Sequence, residues 1–318
     1  MNFHLPAQTV STEVPELIED YTTDAPAWLL RRLGRIAREE RKLSDAFLLL
    51  NRSLESDPEN PETLTELALS YFASGDLHQS RAYLNRALEN RSRLSSPDME
   101  YYILYQFAEI YSQSDTYERE YENILRDLIN ADEQFSSTDI TDVSLRKNIR
   151  AILNKPAPSG VSSLDQTIIL YRIADSFSLE AHLRLGRFYV HSGRYDEAQQ
   201  HLIFAVLKMY TKLISSLRDI NILYSFTDSE DLFNRIRNNE TFLSYLKTSG
   251  FDEALYYLGS ASYGFNPNRQ YVYSGIWQTL QYLPYQSAYI SRASLQLRDP
   301  QKEDILYGSE QFRESVNE

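Results

Sequence analysis

Three arginines with helical spacing are the residues best suited to hold a charged partner. Arg31, Arg35 and Arg38 stand at i, i+4 and i+7, which places them on one face of a helix. A guanidinium group can bind a carboxylate through two parallel hydrogen bonds, so this stripe suits an acidic group on a partner. The alternative is a solvated face whose charge is neutralised by Glu39, Glu40 and other nearby acids. The spacing alone leaves both interpretations open.

The sequence contains no pattern that indicates catalysis or metal binding. His182 and His191 are predicted on one helix but stand nine residues apart, a poor spacing for binding one ion. The chain has no cysteine, no H-E-x-x-H motif, no glycine-rich phosphate loop and no G-x-S-x-G motif. We therefore expect no catalytic residue, no metal and no cofactor, and a protein that is not an enzyme.

Tyrosine is abundant, with 24 residues in the chain, and it supplies large apolar rings with a polar tip. The helical spacing of Tyr71, Tyr111 and Tyr189 favours positions between packed helices. A second aromatic cluster comprises Tyr271, Tyr273, Trp277, Tyr282, Tyr285 and Tyr289. That cluster is typical either of a capping helix or of a surface that docks a partner.

The chain is acidic, with a formal net charge of −13 over 318 residues. Such a charge repels phosphate backbones, so nucleic acid is not expected as a partner. No apolar run is long enough to span a membrane, and the first residues lack the basic and apolar regions of a secretory signal. We expect cytoplasmic residence, or a periplasmic one if a leader has been removed.

A helical hairpin from Leu179 to Tyr210 is the stretch around which the chain is organised. Gly186 and Ala198 are small residues where two helices would meet, and Gly193 lies where the first helix would end. Two such helices leave apolar surface on both sides, so the hairpin needs neighbours of the same kind.

This hairpin resembles the tetratricopeptide repeat, a helix–turn–helix unit of about 34 residues. The residues that carry the resemblance are Leu185, Gly186, Tyr189, Ala198, Leu202 and Ala205. Gly34 and Ala68 occupy the same small position in two further units and stand 34 residues apart. The resemblance covers about half of the chain and implies an all-α fold. That fold is an α-solenoid of such hairpins in a right-handed superhelix, with a C-terminal capping helical extension.

The repeats imply a division of the chain into five parts. These are an N-terminal arm at 1–26, an array of about three repeats at 27–131, a linker at 132–160, an array of about two repeats plus extra helices at 161–268, and aromatic capping helices with a tail at 269–318. In the second array, the pattern beginning at Phe251 echoes the one beginning at Tyr195 and predicts the start of a second helix. Its first helix would run roughly from Leu232 to Lys247. We expect the charged chain after Arg298 to be frayed.

In the resembling family the first helix of each unit lines a concave groove. Carried over position by position, the resemblance implies a partner-binding groove made of Trp28, Arg31, Arg35, Arg38, Thr65, Leu69, Phe72, Leu183, Arg187, Val190 and His191. The asparagine that some members use to clamp a terminal carboxylate is replaced by Arg35 and Leu69, so that specificity is not carried over.

Together these features predict a non-enzymatic scaffold or adaptor that binds a peptide or helix of a protein partner in its groove. A membrane-associated complex is an open alternative for that partner, although no membrane span is expected. The second functional hypothesis is a transport-associated or ligand-sensing protein whose tyrosine-rich second half encloses a small molecule.

Overall fold

The computed structural model describes residues 25–308, apart from 114–116, 133–142, 159 and 175. Every regular element in these residues is helical, which confirms the all-α fold. The helices are α1 (Ala27–Glu39), α2 (Leu43–Ser56), α3 (Pro61–Ser74), α4 (Leu77–Glu89), α5 (Asp98–Tyr111), α6 (Glu118–Asn130), α7 (Val143–Leu153), α8 (Ser163–Leu170), α9 (Leu179–His191), α10 (Tyr195–Ile220), α11 (Ser229–Ile236), α12 (Glu240–Thr248), α13 (Phe251–Phe265), α14 (Gln270–Thr279) and α15 (Ala288–Arg298).

The described residues fall into two compact units, the N-unit (25–124) and the C-unit (125–308). Their division lies within α6, ahead of the predicted linker, and that linker segment contains α7. The predicted arm lies outside the described residues except for positions 25 and 26, and the same holds for the end of the predicted tail after 308.

Local capping explains where α3 begins and ends and where α4 begins. The side chain of Asn60 accepts a hydrogen bond from the Thr63 amide at 3.0 Å, which satisfies an unpaired amide at the start of α3. Gly75 follows α3 with φ of 86°, a left-handed conformation that glycine adopts without strain. Asp76 then caps α4 by accepting a hydrogen bond from the Gln79 amide at 2.9 Å.

Successive helices of the N-unit pack on one another around a continuous apolar core. The core side chains of α3, α4 and α5 are Leu64, Ala68, Leu84, Ala87, Ile103, Phe107 and Ile110. In the first hairpin a Cβ atom placed on Gly34 would lie 2.6 Å from Cγ of Leu50. The glycine is therefore required by the close approach of α1 and α2, as its small-residue position predicts.

The C-unit is built on the α9–α10 hairpin, and the predicted close approach is present there too. A Cβ atom on Gly186 would overlap the side chain of Leu202, which is fully buried. Gly193 joins the two helices with φ of 71°. The helix α10 continues for 26 residues, well past the length of its partner α9.

The repeat after α10 differs from the one predicted. The expected first helix over 232–247 is two short helices, α11 and α12, and α13 packs against α10 instead. Gly259 on α13 lies directly against Trp277 on α14, so α13 and α14 form the next hairpin. A helix does begin at Phe251, as predicted, but it is the first helix of its pair and not the second.

The predicted aromatic cluster divides between the core and the surface. Trp277 is fully buried and donates from Nε1 to the Tyr256 carbonyl at 3.1 Å, and Tyr273 is buried as well. Tyr271 and Tyr282 are exposed. Trp277 and Tyr273 therefore pack between α13 and α14, while Tyr271 and Tyr282 face solvent.

One buried ion pair joins three parts of the C-unit. Lys208 on α10 lies with its Nζ 3.3 Å from Oδ2 of Asp132, and the exposed fractions of the two side chains are 0% and 3%. Lys208 donates to Ser178 at 3.0 Å and also contacts Ser176, while Ser178 donates to the same carboxylate at 2.6 Å. These bonds connect α10 to the chain after α6 and to the segment before α9.

Candidate functional site

The arginine stripe on α1 is partly neutralised by acids of the neighbouring helix α3. Arg31 lies 2.5 Å from the carboxylate of Glu62, and Arg38 lies 3.1 Å from that of Glu66. Both arginines are largely covered, with 28% and 18% of their side chains exposed. The compensating acids are thus on α3 and not only beside the stripe on α1.

Arg35 sits between these two pairs and is compensated far less. Its nearest carboxylate is that of Glu39 at 3.7 Å, and the two side chains are 40% and 58% exposed. Exposed pairs of this kind contribute about 0–1 kcal/mol. Within the described residues, the buried Nε atoms of Arg35 and Arg38 both lack a hydrogen bond, so this feature does not separate the two arginines. Arg35 differs from Arg31 and Arg38 in having the longer and more exposed ion pair.

A tyrosine of α5, Tyr102, lies beside this face. Burial raises the pKa of Tyr102, and the nearby Glu66 carboxylate adds to the effect while Arg38 and Arg35 oppose it. Burial likewise raises the pKa of Glu66, against the attraction of Arg38. We call Arg31, Arg35, Arg38, Glu62, Glu66 and Tyr102 the arginine face.

Two members of the arginine face, Glu66 and Tyr102, are absent from the predicted groove, whereas Glu62 stands 34 residues after Trp28, at the corresponding groove position of the next repeat. The position of Tyr102 within its repeat could have predicted its place on this face, because Tyr102 precedes the small residue Ala108 by six residues. Trp28 precedes Gly34 by the same interval. Glu66 carries no such signal, since its role follows from the distance to Arg38.

Four predicted groove residues are packed within the protein. Thr65, Leu69, Leu183 and Val190 are buried, with exposed fractions of 1%, 8%, 7% and 0%. Such positions contribute to helix packing, and their burial leaves them unable to contact a partner as predicted. Phe72 is half-buried and packs against the core of α3, α4 and α5.

The remaining predicted residues lie in two separate places. Trp28 is 58% exposed at the start of α1, beside the arginine stripe. Arg187 and His191 are on α9 of the C-unit, where Arg187 pairs with Glu253 at 2.7 Å. His191 forms hydrogen bonds with residues 304–307 of the same chain. The structure therefore brings Trp28 and the three arginines together on α1, and Arg187 and His191 together in the C-unit.

The described residues contain no group of three or more histidine, aspartate or glutamate side chains placed to hold a metal ion. None of the described helices is long and apolar enough to cross a membrane.

Comparison with protein families identifies the repeating hairpins. A model of the tetratricopeptide repeat matches residues 61–93, which form α3 and α4, and residues 179–203 in α9 and α10. One match lies in each unit. Both segments therefore match the tetratricopeptide repeat, as the small residues Ala68 and Gly186 predict.

Similar curated proteins come from spirochaetes and yeast. An uncharacterized protein of Treponema pallidum is 23% identical over 64% of this chain and 52% of its own length. An uncharacterized protein of Borreliella burgdorferi is 21% identical over 86% of this chain and 90% of its own. A peroxisomal targeting signal receptor of Komagataella phaffii is 36% identical over 23% of this chain and 14% of that protein. The chain spans about half the length of the first of these relatives.

Proposed function

We propose that this protein is a non-enzymatic scaffold and that its N-unit binds an acidic peptide segment of a partner protein. Matches to the tetratricopeptide repeat in both units support the scaffold role. Arg35 is the residue on which that segment's carboxylate rests. Repeats of this kind build protein–protein interaction scaffolds, so a protein partner follows from the repeats themselves. The acidic chemistry of the partner is the further step.

The observation that carries the proposal is the uneven compensation of the arginine stripe. Arg31 and Arg38 are each held by a glutamate of α3, whereas the ion pair of Arg35 is the longer and more exposed one with Glu39. A partner carboxylate can displace Glu39 at little cost, because the pair being replaced is weak. The exposed ring of Trp28 supplies apolar area for a neighbouring side chain of the same peptide.

Two further facts favour a peptide over a small molecule. Two clefts on the described surface of the C-unit, beside α10 and α15, measure about 250 Å³ and 230 Å³. Pockets for drug-sized ligands usually measure about 300–1,000 Å³. The yeast relative is named as a receptor for a targeting signal, which agrees with peptide recognition, although the shared segment is 81 residues long.

Charge reversal at Arg35 is the direct test. Panning a random peptide library against the wild-type chain should enrich peptides that carry aspartate or glutamate. Arg35→Glu should then weaken the enriched peptides by about tenfold or more, which corresponds to about 1.4 kcal/mol. Fluorescence anisotropy with each labelled peptide measures the change.

Arg32→Glu is the matched control, because Arg32 makes the same change of charge on the same helix but is exposed outside the arginine face. It should alter affinity by less than about threefold, as expected for screened surface charges. Equal losses from the two variants would show a general charge effect, and enrichment of peptides without acidic residues would reject the proposal.

A further inference from the structure

The last described segment of the chain folds back on the C-unit. After α15, residues 299–308 leave the helix and form no regular structure. They run from α15 across α13 to the end of α9, and they contact all three helices. The sequence predicted a frayed tail here, and for residues 299–308 that prediction was wrong.

One end of this segment is anchored by a buried carboxylate. Glu303 accepts a hydrogen bond from the Tyr256 hydroxyl at 2.5 Å and one from Ser260 at 3.3 Å. It also pairs with Arg292 at 2.6 Å, and only 7% of its side chain is exposed. Burial, together with the Glu303 hydrogen bond, raises the pKa of Tyr256 to about 12, so the phenol stays protonated and donates.

The other end is held mainly through backbone atoms. The carbonyl oxygen of His191 accepts hydrogen bonds from the amides of Leu306 at 2.9 Å and Tyr307 at 3.2 Å. Nδ1 of the His191 ring lies 2.8 Å from the carbonyl oxygen of Asp304 and must donate to it, since a carbonyl only accepts. The ring of Tyr307 lies 4.8 Å from that of Phe188. Backbone pairing of this kind suits any non-helical peptide.

The contacts fall on the face that the repeats reserve for a ligand. Gly259 occupies the small position of α13, as Gly186 does on α9. His191, five residues after Gly186, is the predicted groove residue that contacts the segment, through its ring and its carbonyl oxygen. The segment thus lies where a partner peptide would lie if this groove were open.

The apolar side chains of the segment are only loosely held. Ile305 and Leu306 are 46% and 60% exposed, while Glu303 is nearly covered. Burial of a side chain such as isoleucine or leucine contributes roughly 1.5–3 kcal/mol, so two half-exposed ones contribute much less than they could. The carboxylate and the backbone bonds therefore dominate the attachment.

We propose that the C-unit contains a second peptide-binding groove and that residues 301–307 occupy it as a ligand in cis. The partner it fits is a protein segment with a glutamate followed by aliphatic residues and an aromatic residue, in the order of Glu303, Ile305, Leu306 and Tyr307. Such a segment binds by displacing the chain's own copy. This groove is separate from the arginine face of the N-unit.

A labelled peptide with the sequence of residues 299–308 tests the proposal. Its binding is measured by fluorescence anisotropy to the wild-type chain, to a chain ending at Arg298 and to a chain ending at Gly308. The chain ending at Arg298 should bind at least tenfold more tightly than the wild type, because its groove is vacant. The chain ending at Gly308 keeps the cis ligand and should match the wild type.

Glu303→Ala in the full chain provides a second variant that removes an anchor without removing the segment. It should bind the labelled peptide more tightly than the wild type, and hydrogen exchange at the Leu306 and Tyr307 amides should become faster. Asp219→Ala removes one exposed carboxylate from α10 and should change neither measurement. A peptide in which the glutamate is replaced by alanine should bind the shortened chain at least tenfold more weakly.

Two results would overturn the proposal. One is equal affinity of the peptide for the wild-type chain and the chain ending at Arg298. The other is no binding to a shortened chain that keeps its helical circular dichroism, together with unchanged amide exchange in Glu303→Ala. Arg35→Glu should not affect this peptide, so failure here is distinguishable from failure of the proposal for the N-unit.

Discussion

Replacing Lys208 with methionine is expected to lower the free energy of unfolding by about 3–5 kcal/mol, because the variant leaves the carboxylate of Asp132 buried without its cation. The Lys208 side chain is fully covered, and that of Asp132 is 3% exposed. Ser176 and Ser178 can still donate to the carboxylate, but hydroxyl groups do not neutralise its charge. Urea denaturation followed by circular dichroism measures the loss.

Two further variants separate the ion pair from general effects of the substitution. Lys212→Met makes the same change one turn later on α10, where the side chain is exposed, and should shift stability by less than about 0.5 kcal/mol. Adding Asp132→Asn to Lys208→Met should recover part of the loss, because no buried charge remains. If Lys208→Met were as stable as Lys212→Met, the pair would not hold these segments together.

Gly186→Ala is expected to destabilise the protein by about 1–3 kcal/mol, because the added methyl group overlaps Leu202 in a closely packed hairpin. The sign of the stability change is informative. Without the overlap, alanine would stabilise the helix relative to glycine by about 1 kcal/mol. Equilibrium denaturation of the variant and the wild type measures the difference.

Gly275→Ala is the matched control for this prediction. Gly275 also lies within a helix, α14, but a Cβ atom there would be 3.8 Å from the nearest atom, Cβ of Ser162. That variant should be neutral or more stable by up to about 1 kcal/mol. A gain in stability for both variants would mean that α9 and α10 move apart easily.

The helical repeats were predictable because small residues leave a signal in the sequence. Gly34, Ala68 and Gly186 each mark a position where two helices meet, and the spacing between the first two equals one repeat. The same signal was present at Gly259, preceded by leucine as at Gly186. It was overlooked because Phe251 begins a pattern that a second helix shares.

The charged contacts were less predictable, because they depend on distances between helices. The stripe of Arg31, Arg35 and Arg38 is visible from its spacing, but the acids that compensate it lie on α3. Similarly, Glu303 stands in a charged stretch of sequence, which predicts that its side chain is exposed to solvent. Only the positions of Tyr256 and Arg292 show that its carboxylate is buried.

The two tryptophans of the chain stand in different units and in opposite environments. Trp28 in the N-unit is 58% exposed, whereas Trp277 in the C-unit is fully buried against Gly259. An indole in water emits at longer wavelength than one in an apolar core, so the intrinsic fluorescence holds a separate reporter for each unit. Trp28→Phe leaves tryptophan emission only from Trp277 in the C-unit. A red shift during denaturation of that variant then reports when the α13–α14 hairpin opens.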